Sequence, residues 1–359
     1  MSVARALVRN PLNWLLIMIP LAIVLQSTSV GPSWTLAASA LAMVPLAGLI
    51  GESTETLAYH TGPRVGGLLN ATLGNAAELI ISVVAIREGL LELVKASITG
   101  SILGNLLFVL GLSMFLGGIR HQEQTFDRQR ASADSILLVL AVTALAIPSL
   151  FSQASAGIHN PAAVEALSLG VAGLMLLLYV LGLVYSFRSR KSPLSRASAD
   201  PAMHPSGWGV RTALGILVPT TIGVVWMSEI LVRQVEPVVA SLGISEFFLG
   251  VILVPVIGNI AEHLVAVSVA RKNQMSLSVE IAIGSSLQVA LFVVPFLVFF
   301  SLVMGNPLSL VFNSFELIAL IGGVLIAAFV AGDGESNWLE GAELVALYLI
   351  MALAFYFLP

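Results

Sequence analysis

Long apolar runs alternate with short polar segments along almost the whole chain. Eleven runs have roughly 17 to 25 residues, the length at which a helix crosses a hydrocarbon core about 30 Å thick. They lie near residues 12–27, 36–57, 66–86, 96–116, 134–152, 164–187, 211–232, 246–270, 278–303, 311–331 and 339–357. The pattern predicts an all-α polytopic membrane protein with eleven transmembrane helices.

The composition supports this class. Hydrophobic residues make up 57% of the 359 positions and charged residues 10%, with a mean hydropathy of +0.98, which soluble domains of this length do not show. Cysteine is absent, so disulfides and thiolate-ligated metals are excluded. Arg5 and Arg9 before the first run, with Ala38-Ser39-Ala40 after it, also fit a cleaved signal peptide, so that alternative to a retained helix stays open.

The distribution of Lys and Arg predicts the orientation. If the eleven helices alternate in direction and the N-terminus lies inside, the outer segments contain Arg87, Lys95 and Arg233. The inner segments contain Arg5, Arg9, Arg64, Arg120, Arg128, Arg130, Arg188, Arg190, Lys191, Arg196, Arg211, Arg271 and Lys272. Since basic residues concentrate on the cytoplasmic side, the N-terminus is expected inside and the C-terminus outside.

A short motif occurs twice and indicates an internal repeat. Gly74-Asn75-Ala76-Ala77-Glu78 is followed 184 positions later by Gly258-Asn259-Ile260-Ala261-Glu262. Without a gap, about a third of positions 74–109 match 258–293, whereas apolar composition alone would give about a tenth. Five helices per repeat is an odd number, so the second copy enters the membrane inverted, an arrangement common in secondary transporters.

The repeat suggests four segments along the chain. We assign residues 1–35 to an extra N-terminal helix and loop, 36–187 to the first five-helix repeat, and 211–359 to the second. The Ser-, Pro- and Arg-rich segment 188–210 between them is expected to be a cytoplasmic linker.

The two motifs offer oxygen ligands from within the membrane. Asn75 and Glu78 share one helix face, as do Asn259 and Glu262, because residues three apart lie on the same side of a helix. Together they could surround a hard cation such as Ca²⁺, with Glu78 and Glu262 as its charged ligands. Gly74 and Gly258 are expected to break their helices and free backbone carbonyls for the cation. A Glu that only packs helices is the alternative for each site, but its duplication favours function.

Other polar residues are weaker candidates for a pathway or relay. Glu55 and Glu229 could carry protons or lie at the membrane edge, and Glu52 is weaker still. His263 could relay protons or be a satisfied interior histidine, which is the favoured interpretation. The role of Glu316 stays open. Three residues near the starts of the helices after the motifs could line a pathway or pack closely: Ser101, Ser285 and Gln288.

A mechanism follows from the charge of the motifs. Two ionised glutamates repel each other in a sealed, low-dielectric pocket, and either one divalent cation or two protons cancels their charge. If the carrier seals only when it is neutralised, movement of the cation one way is coupled to movement of protons the other way. Coupled antiport by alternating access is therefore the hypothesis. Because the two carboxylates interact, the pKa values of the two protonation steps should be properties of the pair and not of either residue.

These motifs resemble the calcium/proton exchangers of the calcium/cation antiporter superfamily. The resemblance rests on the two Gly-Asn-x-Ala-Glu runs, on His263, and on the tail Trp338-Leu339-Glu340-Gly341-Ala342. It implies ten core helices plus an extra first one, cation binding centred on Glu78 and Glu262 with Asn75 and Asn259 nearby, and export of cytosolic Ca²⁺ in exchange for protons. Two features differ from the family pattern: Ile260 replaces an Ala, and the linker is basic.

Several alternatives are weighed against this hypothesis. A sodium/calcium exchanger is expected, by family resemblance, to carry a Pro-Glu motif; a cation channel would conduct without coupling. Hydrolase motifs are absent, so no enzyme activity and no cofactor is expected. The expected partners are Ca²⁺, protons and the lipid bilayer, without nucleic acid, in a bacterial cytoplasmic membrane. Small residues of the sixth run fit either a homo-oligomer or close packing: Gly170, Gly173 and Gly182.

Overall fold

The computed structural model describes residues 10–28, 31–154, 160–188 and 208–358. Most of the predicted linker, residues 189–207, lies outside the described residues, as do Arg5 and Arg9. Ala38-Ser39-Ala40, the small residues of the signal-peptide alternative, lie buried inside a helix of 30 residues.

The described chain is almost entirely helical. Up to residue 188 its elements are a 3₁₀ segment Pro11–Ile17, α1 (Met18–Gln26), α2 (Pro32–Thr61), α3 (Pro63–Leu73), α4 (Ala76–Arg87), α5 (Leu91–Leu103), a π-helical segment Gly104–Val109, α6 (Leu110–His121), β1 (Glu123–Thr125), α7 (Arg128–Gln153) and α8 (Pro161–Arg188).

The second part of the chain continues in the same way. Its elements are α9 (Val210–Arg233), α10 (Val235–Leu242), α11 (Glu246–Phe248), a π-helical segment Leu249–Leu253, α12 (Val254–Ala270), α13 (Met275–Gln288), a π-helical segment Val289–Val293, α14 (Val294–Met304), α15 (Ser314–Val330), β2 (Glu335–Asn337) and α16 (Trp338–Phe357).

Every predicted apolar run falls on helical structure. When adjoining helical and π-helical segments are counted as one helix, eight helices among the described residues are long and apolar enough to cross a membrane: Pro32–Thr61, Leu91–His121, Arg128–Gln153, Pro161–Tyr185, Val210–Leu242, Glu246–Ala270, Met275–Met304 and Trp338–Phe357. Pro11–Gln26 and Ser314–Val330 are shorter apolar helices. The third run is not one helix, because α3 and α4 are separate. The chain is therefore a polytopic helical protein, while the count of eleven crossings and their orientation stay predictions.

The all-α expectation needs one small correction. β1 pairs antiparallel with β2, with Gln124 opposite Ser336. Both strands lie in polar connections that have no apolar helical period, and the three-residue ribbon satisfies backbone groups that a helix would otherwise satisfy.

The chain forms two compact units. The first comprises Met1–Glu88, Tyr179–Gly243 and Ile257–Ala261, and the second comprises Gly89–Leu178, Ile244–Val256 and Glu262–Pro359. Each unit takes segments from both predicted repeats, so the repeat along the sequence and the compact unit in space are different divisions of the chain.

Local sequence explains where several helices begin. Asn313 and Asn337 are the N-caps of α15 and α16, and each forms a capping box with the glutamate three residues later, Glu316 and Glu340. A capping box satisfies backbone N–H groups that the first turn leaves without helical partners. These glutamates therefore have a structural role at the starts of two apolar helices.

Proline explains two of the π-helical segments. Pro255 and Pro295 are each the second residue of the helix that follows such a segment. A proline donates no backbone hydrogen bond and its ring crowds the preceding turn, so the helix widens just before it. Val254 N–H accordingly donates to Leu249 O, five residues back.

Candidate functional site

The helix that bears the first motif is interrupted at Gly74 and Asn75. α3 ends immediately before Gly74, and α4 begins immediately after Asn75. Glu78 therefore lies in the first turn of α4, where backbone N–H groups and the helix dipole favour a negative charge. The side chains of Asn75 and Glu78 are buried, with 2% and 3% of their surface exposed.

Within the first unit, the asparagine of the second motif contacts the glutamate of the first. Asn259 Nδ2 donates a hydrogen bond to Glu78 Oε1 over 2.5 Å, and Asn259 is also buried. Gly258 permits this approach, because a Cβ at that position would lie 2.7 Å from Glu78 Cγ. The two motifs, 181 residues apart at this contact, therefore meet through named side chains.

The expectation that Gly258 breaks its helix is wrong. α12 continues through Gly258 without interruption. The irregular backbone lies earlier, in the π-helical segment Leu249–Leu253 that precedes Pro255. A glycine inside a membrane helix can serve close packing instead of a break, and the contact with Glu78 is such a case.

The second unit brings Glu262 and Ser285 together. Ser285 Oγ donates a short hydrogen bond to Glu262 Oε2. Ser285 is buried, and Glu262 is partly buried. Ser101, the repeat counterpart of Ser285, is buried in α5, while Gln288 is the last residue of α13 and is partly buried.

His263 is hydrogen-bonded in the interior of the second unit. Its Nε2 lies 3.0 Å from Asn105 Oδ1, and both side chains are buried. This contact supports the interpretation of His263 as a satisfied interior histidine. Sequence reasoning did not single out Asn105, although a lone amide within an apolar run was a usable signal.

The remaining acidic candidates have different surroundings. Glu229 forms an ion pair with Arg87 over 2.9 Å, and both side chains are partly exposed. Glu55 is exposed on α2, and Glu52 is half-buried there. The ion pair favours an edge position for Glu229, while a relay role for Glu55 stays a proposal.

Glu316, whose role the sequence left open, is completely buried in the second unit. It accepts hydrogen bonds from Asn313 N–H over 2.7 Å and from Thr99 Oγ1 over 3.2 Å. The Asn-x-x-Glu spacing before an apolar run is the sequence signature of a capping box, so the cap could have been found from sequence. The partner Thr99 could not.

Carboxylates do not gather into a larger centre in the described ranges. No group of three or more His, Cys, Asp or Glu side chains there could hold a metal ion. The contact between Asn259 and Glu78 instead combines an amide with a carboxylate.

Comparison with known proteins identifies clear relatives. A family model described as "Sodium/calcium exchanger protein" matches residues 32–188 and 212–357. The Ca(2+)/H(+) antiporter of Aphanothece halophytica is 45% identical over 334 residues, covering 89% of each chain. The Ca(2+)/H(+) antiporter ChaA of Bacillus subtilis is 44% identical, covering 88% of this chain and 90% of the relative.

A solved structure is similar over nearly the whole chain. Native YfkE superimposes with a TM-score of 0.83 at 39% identity, covering 96% of this chain and all of YfkE. The predicted helical fold is therefore also the fold of a solved structure.

Proposed function

Because the chain belongs to the sodium/calcium exchanger protein family, we propose that it is a secondary antiporter that exports cytosolic Ca²⁺ in exchange for protons. The named relatives at 45% and 44% identity are Ca(2+)/H(+) antiporters, and they support calcium and protons as the substrates. A transporter needs neither an enzymatic centre nor a cofactor.

The main observation in support of the proposed cation site is the hydrogen bond from Asn259 to Glu78. It joins the polar groups of two motifs in a buried region, where a carboxylate is costly without a function. Glu262 lies three residues after Asn259 on the uninterrupted α12, hence on the same face. We propose Glu78 and Glu262, the charged residues of the two repeated motifs, as the cation ligands, with Asn75 as a further oxygen ligand.

The same pair supplies the coupling. Two ionised carboxylates in a sealed site repel each other, and one Ca²⁺ or two protons neutralise them. We expect the carrier to change its open side only in a neutralised state. Calcium leaving on one side is then replaced by protons entering from the other, which is exchange by alternating access.

Contacts within each unit support alternating helices. Arg87 pairs with Glu229, and Lys95 Nζ donates to Val311 O over 3.0 Å; each contact joins positions assigned to the outer side. β1 and β2 pair in connections assigned to the inner side. These contacts favour the proposed alternation of the helices. The distribution of Lys and Arg is the basis on which we propose that the N-terminus lies in the cytoplasm and that the helices lie in a bacterial cytoplasmic membrane.

The test is Ca²⁺ uptake into inverted membrane vesicles with an imposed pH gradient, acid inside. Wild type, Glu78→Gln and Glu262→Gln are compared with Glu165→Gln, which removes an exposed carboxylate from α8. We expect uptake to collapse with the gradient and in the first two variants, and to persist in Glu165→Gln.

The other outcomes assign other functions. Uptake driven by a sodium gradient would identify a sodium/calcium exchanger, and flux without any driving gradient would identify a channel. Normal uptake in both Glu78→Gln and Glu262→Gln would remove the proposed site.

A further inference from the structure

Two helices of the second unit begin in the same way at matched places in the chain. The N-cap of α7 is Asp127, whose side chain accepts from Arg130 N–H over 3.1 Å. The N-cap of α15 is Asn313, whose side chain accepts from Glu316 N–H over 2.8 Å. Each residue of the second pair stands 186 positions after its counterpart, close to the 184 of the motif repeat.

In both helices the third residue contacts another helix. The two contacted helices, α13 and α5, are themselves counterparts in the internal repeat. Arg130 forms an ion pair with Glu280 on α13, and Glu316 accepts from Thr99 Oγ1 on α5. α5 and α13 follow the two motifs and carry the paired serines, Ser101 and Ser285. The third residue differs in charge between the repeats: it is cationic in α7 and anionic in α15.

Each contact has a companion one helical turn earlier on the same helix. Ser276, four residues before Glu280, accepts from Asp127 N–H over 3.3 Å. Lys95, four residues before Thr99, donates to Val311 O in the segment that leads into α15. Residues four apart lie on one helix face. α5 and α13 therefore each contact the start of a neighbouring helix through two residues. We call these two sets of contacts the α5 anchor (Lys95, Thr99, Val311, Glu316) and the α13 anchor (Ser276, Glu280, Asp127, Arg130).

The α5 anchor is the more deeply buried of the two. Thr99 and Glu316 are both 0% exposed, while the side chains of Arg130 and Glu280 are about a quarter exposed. Capping alone accounts for the hydrogen bonds between Glu316 and Asn313. It does not account for the hydrogen bond that Glu316 accepts from the hydroxyl of Thr99, which lies on another helix.

We infer that the two anchors position the serine-bearing helices, with Glu316 holding α5 through Thr99 and Arg130 holding α13 through Glu280. This inference rests on the proposed function. Ser285 lies five residues after Glu280, and its hydroxyl contacts Glu262, so a shift of α13 along its axis would move that hydrogen bond. Ser101 lies two residues after Thr99 and would move with α5.

The test separates anchoring from capping by changing the partner and leaving the cap intact. Thr99→Val removes the hydroxyl that Glu316 accepts from, and Thr99→Ser keeps it. Thr143→Val is the matched control, because Thr143 is exposed on α7 and donates only within its own helix to Val139 O. Half-saturating Ca²⁺, maximal uptake rate and the fraction of monodisperse protein are measured for each.

We expect Thr99→Val to raise the half-saturating Ca²⁺ concentration by about tenfold, the order of effect that a small misplacement of a site group produces. Thr99→Ser and Thr143→Val should match wild type. Wild-type saturation in a well-folded Thr99→Val would overturn the α5 anchor.

The α13 anchor is tested by exchange of charge. Arg130→Glu and Glu280→Arg should each raise half-saturating Ca²⁺, and the double variant should return it towards wild type. If the double variant folds but saturates like the single ones, the inference fails for α13.

A further measurement is independent of transport, so that failure of the proposed function stays distinguishable. The chain has no cysteine, so Ser101→Cys gives a single labelling site. Its labelling rate should change when Thr99→Val is added, because a shift of α5 alters how accessible position 101 is. An unchanged rate would refute the α5 anchor, whereas absence of gradient-driven uptake by wild type would refute only the proposed function.

Discussion

Glu78 can reach Asn259 because residue 258 is a glycine. The side chains meet over 2.5 Å, and any Cβ at position 258 would crowd the Glu78 side chain at 2.7 Å. At the scale of single residues, the site therefore depends on a missing methyl group as much as on the polar groups themselves.

Gly258→Ala should reduce Ca²⁺ uptake by about tenfold or more, because a displaced Glu78 is a misplaced ligand. The matched control is Gly215→Ala on α9, where a Cβ would meet nothing within 4 Å. Uptake is measured in inverted vesicles at equal protein levels. Normal uptake in Gly258→Ala would show that Glu78 does not need this approach.

Ser285→Ala should weaken Ca²⁺ binding, because it removes the hydroxyl that orients Glu262. Hydrogen bonds to charged groups contribute about 1.5–3 kcal/mol, which corresponds to about ten- to a hundredfold in half-saturating Ca²⁺. Ser39→Ala is the control, since Ser39 is also buried and its Oγ donates to Leu36 O within its own helix. Equal saturation curves for the two variants would contradict the role of Ser285.

At the scale of elements, the C-terminal signature Trp338–Ala342 has a structural explanation. Glu340 completes the capping box that starts α16. Gly341 packs directly on α6, where a Cβ would lie 2.6 Å from Gly111 O and 2.7 Å from Phe115 Cα. Small residues let two membrane helices approach this closely, so the signature fixes how α16 packs on α6.

Gly341→Ala should destabilise the protein by about 1–3 kcal/mol, because backbone neighbours cannot move aside as a flexible side chain can. Gly322→Ala on α15, where a Cβ would meet nothing within 4 Å, should stay within about 0.5 kcal/mol. Thermal unfolding of detergent-solubilised protein, followed by size-exclusion chromatography, measures both. Equal midpoints would exclude close packing as the reason for the glycine.

At the scale of the whole molecule, exposed apolar surface indicates contact with lipid. Large apolar side chains on α8, among them Leu174 and Leu181, are more than half exposed. A water-soluble protein rarely leaves such extended patches uncovered. Together with the eight long apolar helices among the described residues, they fit helices surrounded by hydrocarbon.

The orientation can be tested because the chain lacks cysteine. Arg271→Cys and Lys272→Cys should react with a membrane-impermeant thiol reagent only from the cytoplasmic side, and Glu236→Cys only from the outside. All three residues are exposed. Intact cells and inverted vesicles give the two sides, and reversed labelling would invert the topology.

The sequence by itself determined the helices, the paired motifs and the charge distribution. These are local properties: a run of apolar residues becomes a helix wherever water is excluded, and Asn259 precedes Glu262 by three positions in any fold. The capping boxes at Asn313 and Asn337 are equally local. The family resemblance, which rests on these motifs, was confirmed by the family model that matches residues 32–188 and 212–357.

Tertiary structure alone decided which of these residues meet. It made Gly258 a contact glycine inside α12, gave Glu316 its partner Thr99, and placed Asn105 against His263. The apolar faces of membrane helices look alike in sequence, so the sequence does not specify which faces dock or at what depth. Contacts between residues more than a hundred positions apart depend on that docking, as in the pairs Asn259–Glu78 and His263–Asn105.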